Sequence, residues 1–148
     1  MPVIENNVSI AASPEEVLGL AMEVEAFPDF MPEVKEVVVH ERDAAGNPAL
    51  VAWAALIPEF ALTVKWTERD RWDPAAHTCD FTQAEGQFSV YEGQWRFEEE
   101  GAGTRFVSTL RYEIEIPLVG PLIKGLIKKK MWENVDRLQQ ALKARAEG

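Results

Sequence analysis

Lys130 and Asn134 are the residues best placed to meet a ligand's polar group. Four positions apart, they share one side of any helix that contains both. At ~100° per residue, Lys130 projects between Ile123 and Ile127, and Asn134 between Ile127 and Met131. Both therefore interrupt an apolar stripe. Polar groups on a buried stripe cost free energy unless they are paired. They read as contacts to a ligand head group, an anionic one for Lys130. Otherwise Lys130 carries its charge outward along its stem or pairs with a sheet carboxylate such as Glu92.

Other reactive side chains form no recognisable set. His40 and His77 lack ligand-spaced partners, so no metal site is expected. His40 is a general base only if its strand turns it inward; on the strand surface it is solvated. Cys79, the single cysteine, excludes an internal disulfide and reads as a small core residue. There is no Gly-x-Ser-x-Gly elbow, phosphate-binding glycine loop or dinucleotide fingerprint. No catalytic residue and no cofactor are assigned.

The stripe that Lys130 and Asn134 interrupt belongs to one long helix from Pro121 to Glu147. It carries Leu122, Ile123, Leu126, Ile127, Met131, Val135, Leu138 and Leu142 at helical spacing. Pro121 suits a first turn, and Gly120 ends the segment before it. Gly125, which costs ~1 kcal/mol relative to alanine, allows a close strand or a moving first turn. Such a helix must cover an apolar surface, and the preceding strands are the surface available.

Val3–Ile10 reads as the first strand. Ser13, Pro14 and Glu16 form a capping box for a helix through Val24. Phe27-Pro28-Asp29-Phe30-Met31-Pro32 holds only a turn or a short helix. Six further strands span Val34–Arg42, Ala49–Ile57, Phe60–Trp72, Thr78–Ala84, Phe88–Glu98 and Thr104–Ile116. Their short connections make an antiparallel meander, hence an α+β chain of one domain over residues 1–148. Alternation puts Phe60, Leu62, Val64 and Trp66 on one face, joined by Tyr91, Gly93, Trp95 and Phe97. Phe106, Ser108, Leu110, Tyr112, Ile114 and Ile116 share the corresponding face of the last strand. The third strand is apolar on both faces, which leaves Trp53 unplaced.

The chain is 47% hydrophobic and 27% charged, an ordinary globular balance. No run approaches the ~18 apolar residues of a membrane span, and Met1–Asn7 lacks the pattern of a secretory signal. A cytoplasmic protein is expected. The net charge is −10. The residues from Pro121 onward hold seven Lys/Arg against three Asp/Glu. Overall acidity argues against DNA as a partner. Lys124, Lys128 and Lys129 are either a solvated helix face or a transient contact for a membrane or an acidic partner.

Val8-Ser-Ile-Ala-Ala-Ser-Pro-Glu-Glu-Val17, Phe27-Pro-Asp-Phe-Met-Pro32 and Val34-Lys-Glu-Val37 together resemble the opening of the START-like superfamily. Gly93-Gln-Trp-Arg-Phe97, Gly103-Thr104 and the strand before Pro117-Leu118 resemble its second half. The nearest branch is that of polyketide cyclases and dehydrases, with the coenzyme Q-binding and ribosome-association toxin proteins. Glu33 and Val34 stand where the coenzyme Q-binding branch usually has an aromatic residue and a cysteine. The resemblance implies a helix-grip fold: a seven-stranded antiparallel sheet wrapped around the long C-terminal helix, with two short helices after the first strand. It also implies a cavity for a hydrophobic small molecule between sheet and helix.

On that basis the expected ligand-binding residues are Leu62, Val64, Trp66, Tyr91, Trp95, Phe97, Phe106, Leu110, Tyr112, Ile123, Ile127, Lys130, Met131 and Asn134. Three functions follow: a binding or transport protein for a lipid, isoprenoid or polyketide-like compound; a cyclase/dehydrase-type enzyme using Tyr91, Tyr112, Lys130 or His40; and a regulator that binds a ribosome or protein partner.

Overall fold

The computed structural model describes residues 2–58, 61–114 and 121–148. Seven strands form one antiparallel sheet: β1 (Val3–Ile10), β2 (Val34–Arg42), β3 (Pro48–Ile57), β4 (Leu62–Asp73), β5 (Thr78–Gly86), β6 (Val90–Glu100) and β7 (Gly103–Glu113). Their order is β1-β7-β6-β5-β4-β3-β2, so β2 to β7 make a meander and β1 closes onto β7. Two short helices, α1 (Pro14–Met22) and α2 (Phe27–Phe30), follow β1, and α3 (Pro121–Glu147) ends the chain. This is the expected helix-grip architecture. Phe60, Ile116 and Gly120 lie outside the described residues, and Ile114 follows the last strand.

Local chemistry sets the short helices. The Ser13 hydroxyl accepts the Glu16 N–H at 3.3 Å, Pro14 opens α1, and Glu15 and Glu16 sit in its first turn. Acidic residues there complement the helix dipole. Phe27 at the start of α2 is fully buried and meets Phe30 edge-on at 5.2 Å.

The inward sheet face carries two apolar clusters. One joins α1, α2 and the C-terminal half of α3 to Phe97, Phe106, Trp53 and Trp72. The other joins Ile4, Ile57, Val64, Phe81, Phe88, Leu110 and Tyr112 to Ile127 and Met131. Trp66 and Trp95 pack against both.

The C-terminal half of α3 is pinned. Leu142 and Gln139 are fully buried. The Gln139 amide donates to the carbonyls of Asn6 and Phe106 at 3.3 and 3.2 Å. Lys143 donates to the Ser9 carbonyl at 2.7 Å, and Arg145 pairs with Glu23 at 2.8 Å. The start of the helix differs. Residues 122–126 are all exposed, and Leu122 keeps 86% of its surface. The apolar period of Leu122, Ile123 and Leu126 is therefore not read by the sheet, and the buried face of α3 begins at Ile127. Helical spacing marks one side of a helix but not where the covered surface stops.

Candidate functional site

Between the sheet and α3 lies a cavity of about 110 Å³. Its wall is built by alternation on consecutive strands. β3 contributes Trp53, Ala55 and Ile57, and β4 contributes Val64, Trp66 and Glu68. β5 adds Phe81, β6 adds Tyr91 and Trp95, and β7 adds Ser108 and Leu110. Met131, Asn134, Val135 and Leu138 of α3 form the roof, and Met31, Glu33 and Val34 complete the side nearest α2.

The aromatic wall is continuous. Trp53 and Trp66, directly paired across β3 and β4, are parallel with ring centres 6.1 Å apart. Trp66 meets Tyr91 at 5.1 Å, Tyr91 meets Phe81 at 5.8 Å, and Phe81 meets Trp95 at 6.1 Å. Phe88 precedes β6 and is buried against Tyr91 at 4.8 Å. The Gln83 amide fixes it by donating to its carbonyl at 2.7 Å and accepting its N–H at 3.3 Å. Such edge-on and tilted ring pairs suit the aromatic quadrupole and hold the wall in shape.

Of the residues expected to touch a ligand, Val64, Trp66, Tyr91, Trp95, Leu110, Met131 and Asn134 line this cavity. Leu62, Phe97, Phe106, Tyr112, Ile123, Ile127 and Lys130 lie outside the lining. Phe97 and Phe106 stack on each other at 4.6 Å in the core behind it. Tyr112 and Ile127 belong to the packing around Phe88, with Leu62 at its margin, and Ile123 stands on the exposed first turns. Lys130 pairs with Glu133 three residues on at 3.3 Å. Lys130 is not part of the lining. Asn134 does face the cavity, while its Oδ1 accepts from Arg137 at 3.3 Å. Arg137 also reaches Glu33 at 3.6 Å, tying α3 to the segment before β2 beside the lining.

The polar centre of the cavity was not among the expected residues. Glu68 follows Trp66 by two positions and therefore points to the same face. Only 7% of it is exposed, and Asp70, two residues further, is equally buried. Glu68 accepts the Trp66 indole N–H at 2.9 Å and shares a hydrogen bond with Asp70. Burial pushes the Glu68 carboxyl up. Burial and the neighbouring Glu68 charge push Asp70 up to about 11. Two adjacent carboxyls in a dry site do not both ionise, so the pair retains a proton at neutral pH. Tyr91 is pushed up by burial first and by the same carboxyls second. Burial likewise raises the Cys79 thiol. Two buried polar atoms here have no protein partner: Asp70 Oδ1 and Trp53 Nε1. Trp53, open in the sequence reading, lies inward with 7% exposure. The signal for Glu68 was its parity with Trp66; its charge argued the other way.

His40, on β2, is not in the lining, and the His77 Nε2 lies 3.2 Å from Glu15 on the surface. Among the described residues no cluster of three or more His, Cys, Asp or Glu side chains is arranged to hold a metal ion. Among them also, no helix is long and apolar enough to cross a membrane.

Residues 10–143 match the family model described as "Polyketide cyclase / dehydrase and lipid transport". No curated protein sequence matches the chain. Among solved structures, TTHA0849 from Thermus thermophilus is 36% identical, with a TM-score of 0.90 over 98% of this chain and 97% of that one. A START superfamily protein from Mycobacterium smegmatis is 24% identical, with a TM-score of 0.82 over 98% and 97%. The Zhui aromatase/cyclase from Streptomyces sp. R1128 is 20% identical, with a TM-score of 0.87 over 99% and 93%. At those two identities the likeness is one of fold.

Proposed function

Because the chain belongs to the polyketide cyclase/dehydrase and lipid transport family, we propose that it binds or carries a hydrophobic small molecule of lipid, isoprenoid or polyketide type between its sheet and α3. The observation that carries this reading is the cavity wall: a continuous run of rings from Trp53 to Trp95 beside aliphatic residues, left unfilled by the protein's own side chains. Ligand sites are concave and mostly apolar, with a few placed polar groups. Burial of apolar surface at roughly 25 cal/mol per Å² supplies the affinity. The test is native mass spectrometry of the protein after exposure to a hydrophobic cell extract. A stoichiometric adduct that quenches tryptophan emission is the expected result. Protein that emerges without any adduct, and whose emission no apolar probe changes, refutes it.

A second reading, a cyclase/dehydrase-type enzyme, is favoured by one observation. Glu68 opens on the cavity beside Tyr91, so a proton donor and acceptor are within the wall. General acid–base catalysis needs such groups at the reacting centre. Incubation with a linear poly-β-keto thioester tests it: a cyclised product that Glu68→Gln abolishes supports catalysis. The product distribution of buffer alone rules it out.

A further inference from the structure

Among the described residues, the cavity lining contains two carboxylic acids, Glu33 and Glu68, and no lysine, arginine or histidine. Arg137, which contacts the lining residues Glu33 and Asn134, is already ion-paired with Glu33, and Lys130 is paired with Glu133. A ligand with an anionic head would have to bring its charge beside Glu68 with no counter-charge on the wall. A charge moved into a dry site without a partner is strongly disfavoured. A second, independent feature points the same way. The Trp53 side chain lines the cavity, is more than nine-tenths buried, and its indole N–H has no acceptor. The adjacent Trp66 N–H, by contrast, is satisfied by Glu68. A buried donor left without an acceptor costs free energy that a ligand oxygen can recover.

From these features, and resting on the binding reading above, we propose that the cavity selects ligands whose buried end is uncharged and carries hydroxyl or hydroxy-carbonyl oxygen. Trp53 donates to that oxygen, and Glu68 meets the hydroxyl. Carboxylates and phosphates are rejected, so free fatty acids and phosphorylated isoprenoids are not the cargo. The Trp53 N–H is covered in the unliganded protein, so the ligand must displace a neighbouring side chain to reach it. Specificity of this kind arises as much from the group that repels the wrong ligand as from the one that attracts the right ligand.

Three naphthalenes of nearly equal size test this at neutral pH, titrated by tryptophan fluorescence and calorimetry: 2-methylnaphthalene, 2-naphthol and 2-naphthoate. The expected order is naphthol tightest, methylnaphthalene about tenfold weaker, which is ~1.4 kcal/mol, and naphthoate weakest. Trp53→Phe keeps the ring and removes the donor. It should weaken naphthol several-fold and leave methylnaphthalene unchanged. Glu68→Gln keeps a hydrogen-bonding group beside Trp66 and removes the acid. It should raise naphthoate affinity about tenfold or more relative to methylnaphthalene. If naphthoate binds the unmodified protein as tightly as naphthol, or if Trp53→Phe shifts naphthol and methylnaphthalene equally, the proposal is overturned while the binding reading stands. If none of the three binds, both fall. Circular dichroism of each variant shows whether a lost affinity reflects a lost fold, and the methylnaphthalene control separates the two in any case.

Discussion

Replacing Asp70 with asparagine should change how the protein's stability depends on pH. Asp70 sits 7% exposed against Glu68, and its carboxyl is pushed up to about 11 by burial and by the Glu68 charge. In the unfolded chain it titrates near the ordinary value of about 4. Between those limits the folded protein holds a proton that the unfolded chain has released. The stabilising contribution is complete below pH ~4 and is lost as pH rises toward 11. The slope is about 1.36 kcal/mol per pH unit for one proton, so roughly 4 kcal/mol disappears between pH 5 and pH 8. That is a large share of a typical stability of about 5–15 kcal/mol. Asparagine imitates the protonated acid and does not titrate. The stability of the variant relative to the unmodified protein should therefore rise by about 4 kcal/mol from pH 5 to pH 8. The asparagine amide still offers Glu68 a hydrogen-bond donor in place of the protonated Asp70, which keeps the Glu68 surroundings as similar as one substitution allows. Tyr91 and Cys79, the other titratable groups whose fields meet at the pair, are both raised and stay protonated through this window. Urea unfolding at pH 5, 6, 7 and 8 measures the effect. With a slope near 2 kcal/mol/M the midpoint difference should move by about 2 M. Profiles that stay parallel from pH 5 to pH 8 would show that Asp70 ionises in the folded protein, and the proton-sharing pair would have to be abandoned.

Other expectations concern the wall, the sheet and the helix. Lys130→Met should leave 2-methylnaphthalene affinity within twofold, because Lys130 does not line the cavity. Trp95→Leu, which removes a lining ring, should weaken it about tenfold; calorimetry distinguishes the two. Gly93→Ala should destabilise the sheet by about 1–3 kcal/mol in chemical denaturation, since the added Cβ would fall 2.1 Å from the Thr109 carbonyl and 2.7 Å from the Phe81 ring. Gln139→Ala should cost a similar amount by removing the donor that serves the Asn6 and Phe106 carbonyls. A transient contact of Lys124, Lys128 and Lys129 with a membrane predicts binding to anionic but not neutral vesicles, lost in high salt and on charge reversal of the three; equal sedimentation with both vesicle types would dismiss it.

The sequence alone determined the order of elements, the capped start of α1, the extent of α3 and the inward parity of β4, β6 and β7. Those follow from local rules: a capping hydroxyl, a period of two, a period of 3.6. The same local rules placed Trp66, Tyr91 and Trp95 together. What they lack is a neighbour from elsewhere in the chain. Trp53 was ambiguous because β3 is apolar on both faces, and only its pairing with Trp66 turned it inward. Phe97 and Phe106 read as lining until their mutual contact placed them in the core behind it. The stripe of α3 continued to Leu122 by period, yet the sheet covers the helix only from Ile127. The positions of Lys130 and Glu68 are instructive together. By period and polarity Lys130 was the conspicuous polar interruption, yet it pairs with Glu133 on its own helix and does not line the cavity. Glu68 shares the parity of Trp66 on its strand, but glutamates are mostly exposed, and nothing local marks this one as buried. Only the tertiary fold brings Trp66, Asp70 and the aromatic wall around it, so that this carboxyl becomes a polar group in an apolar cavity.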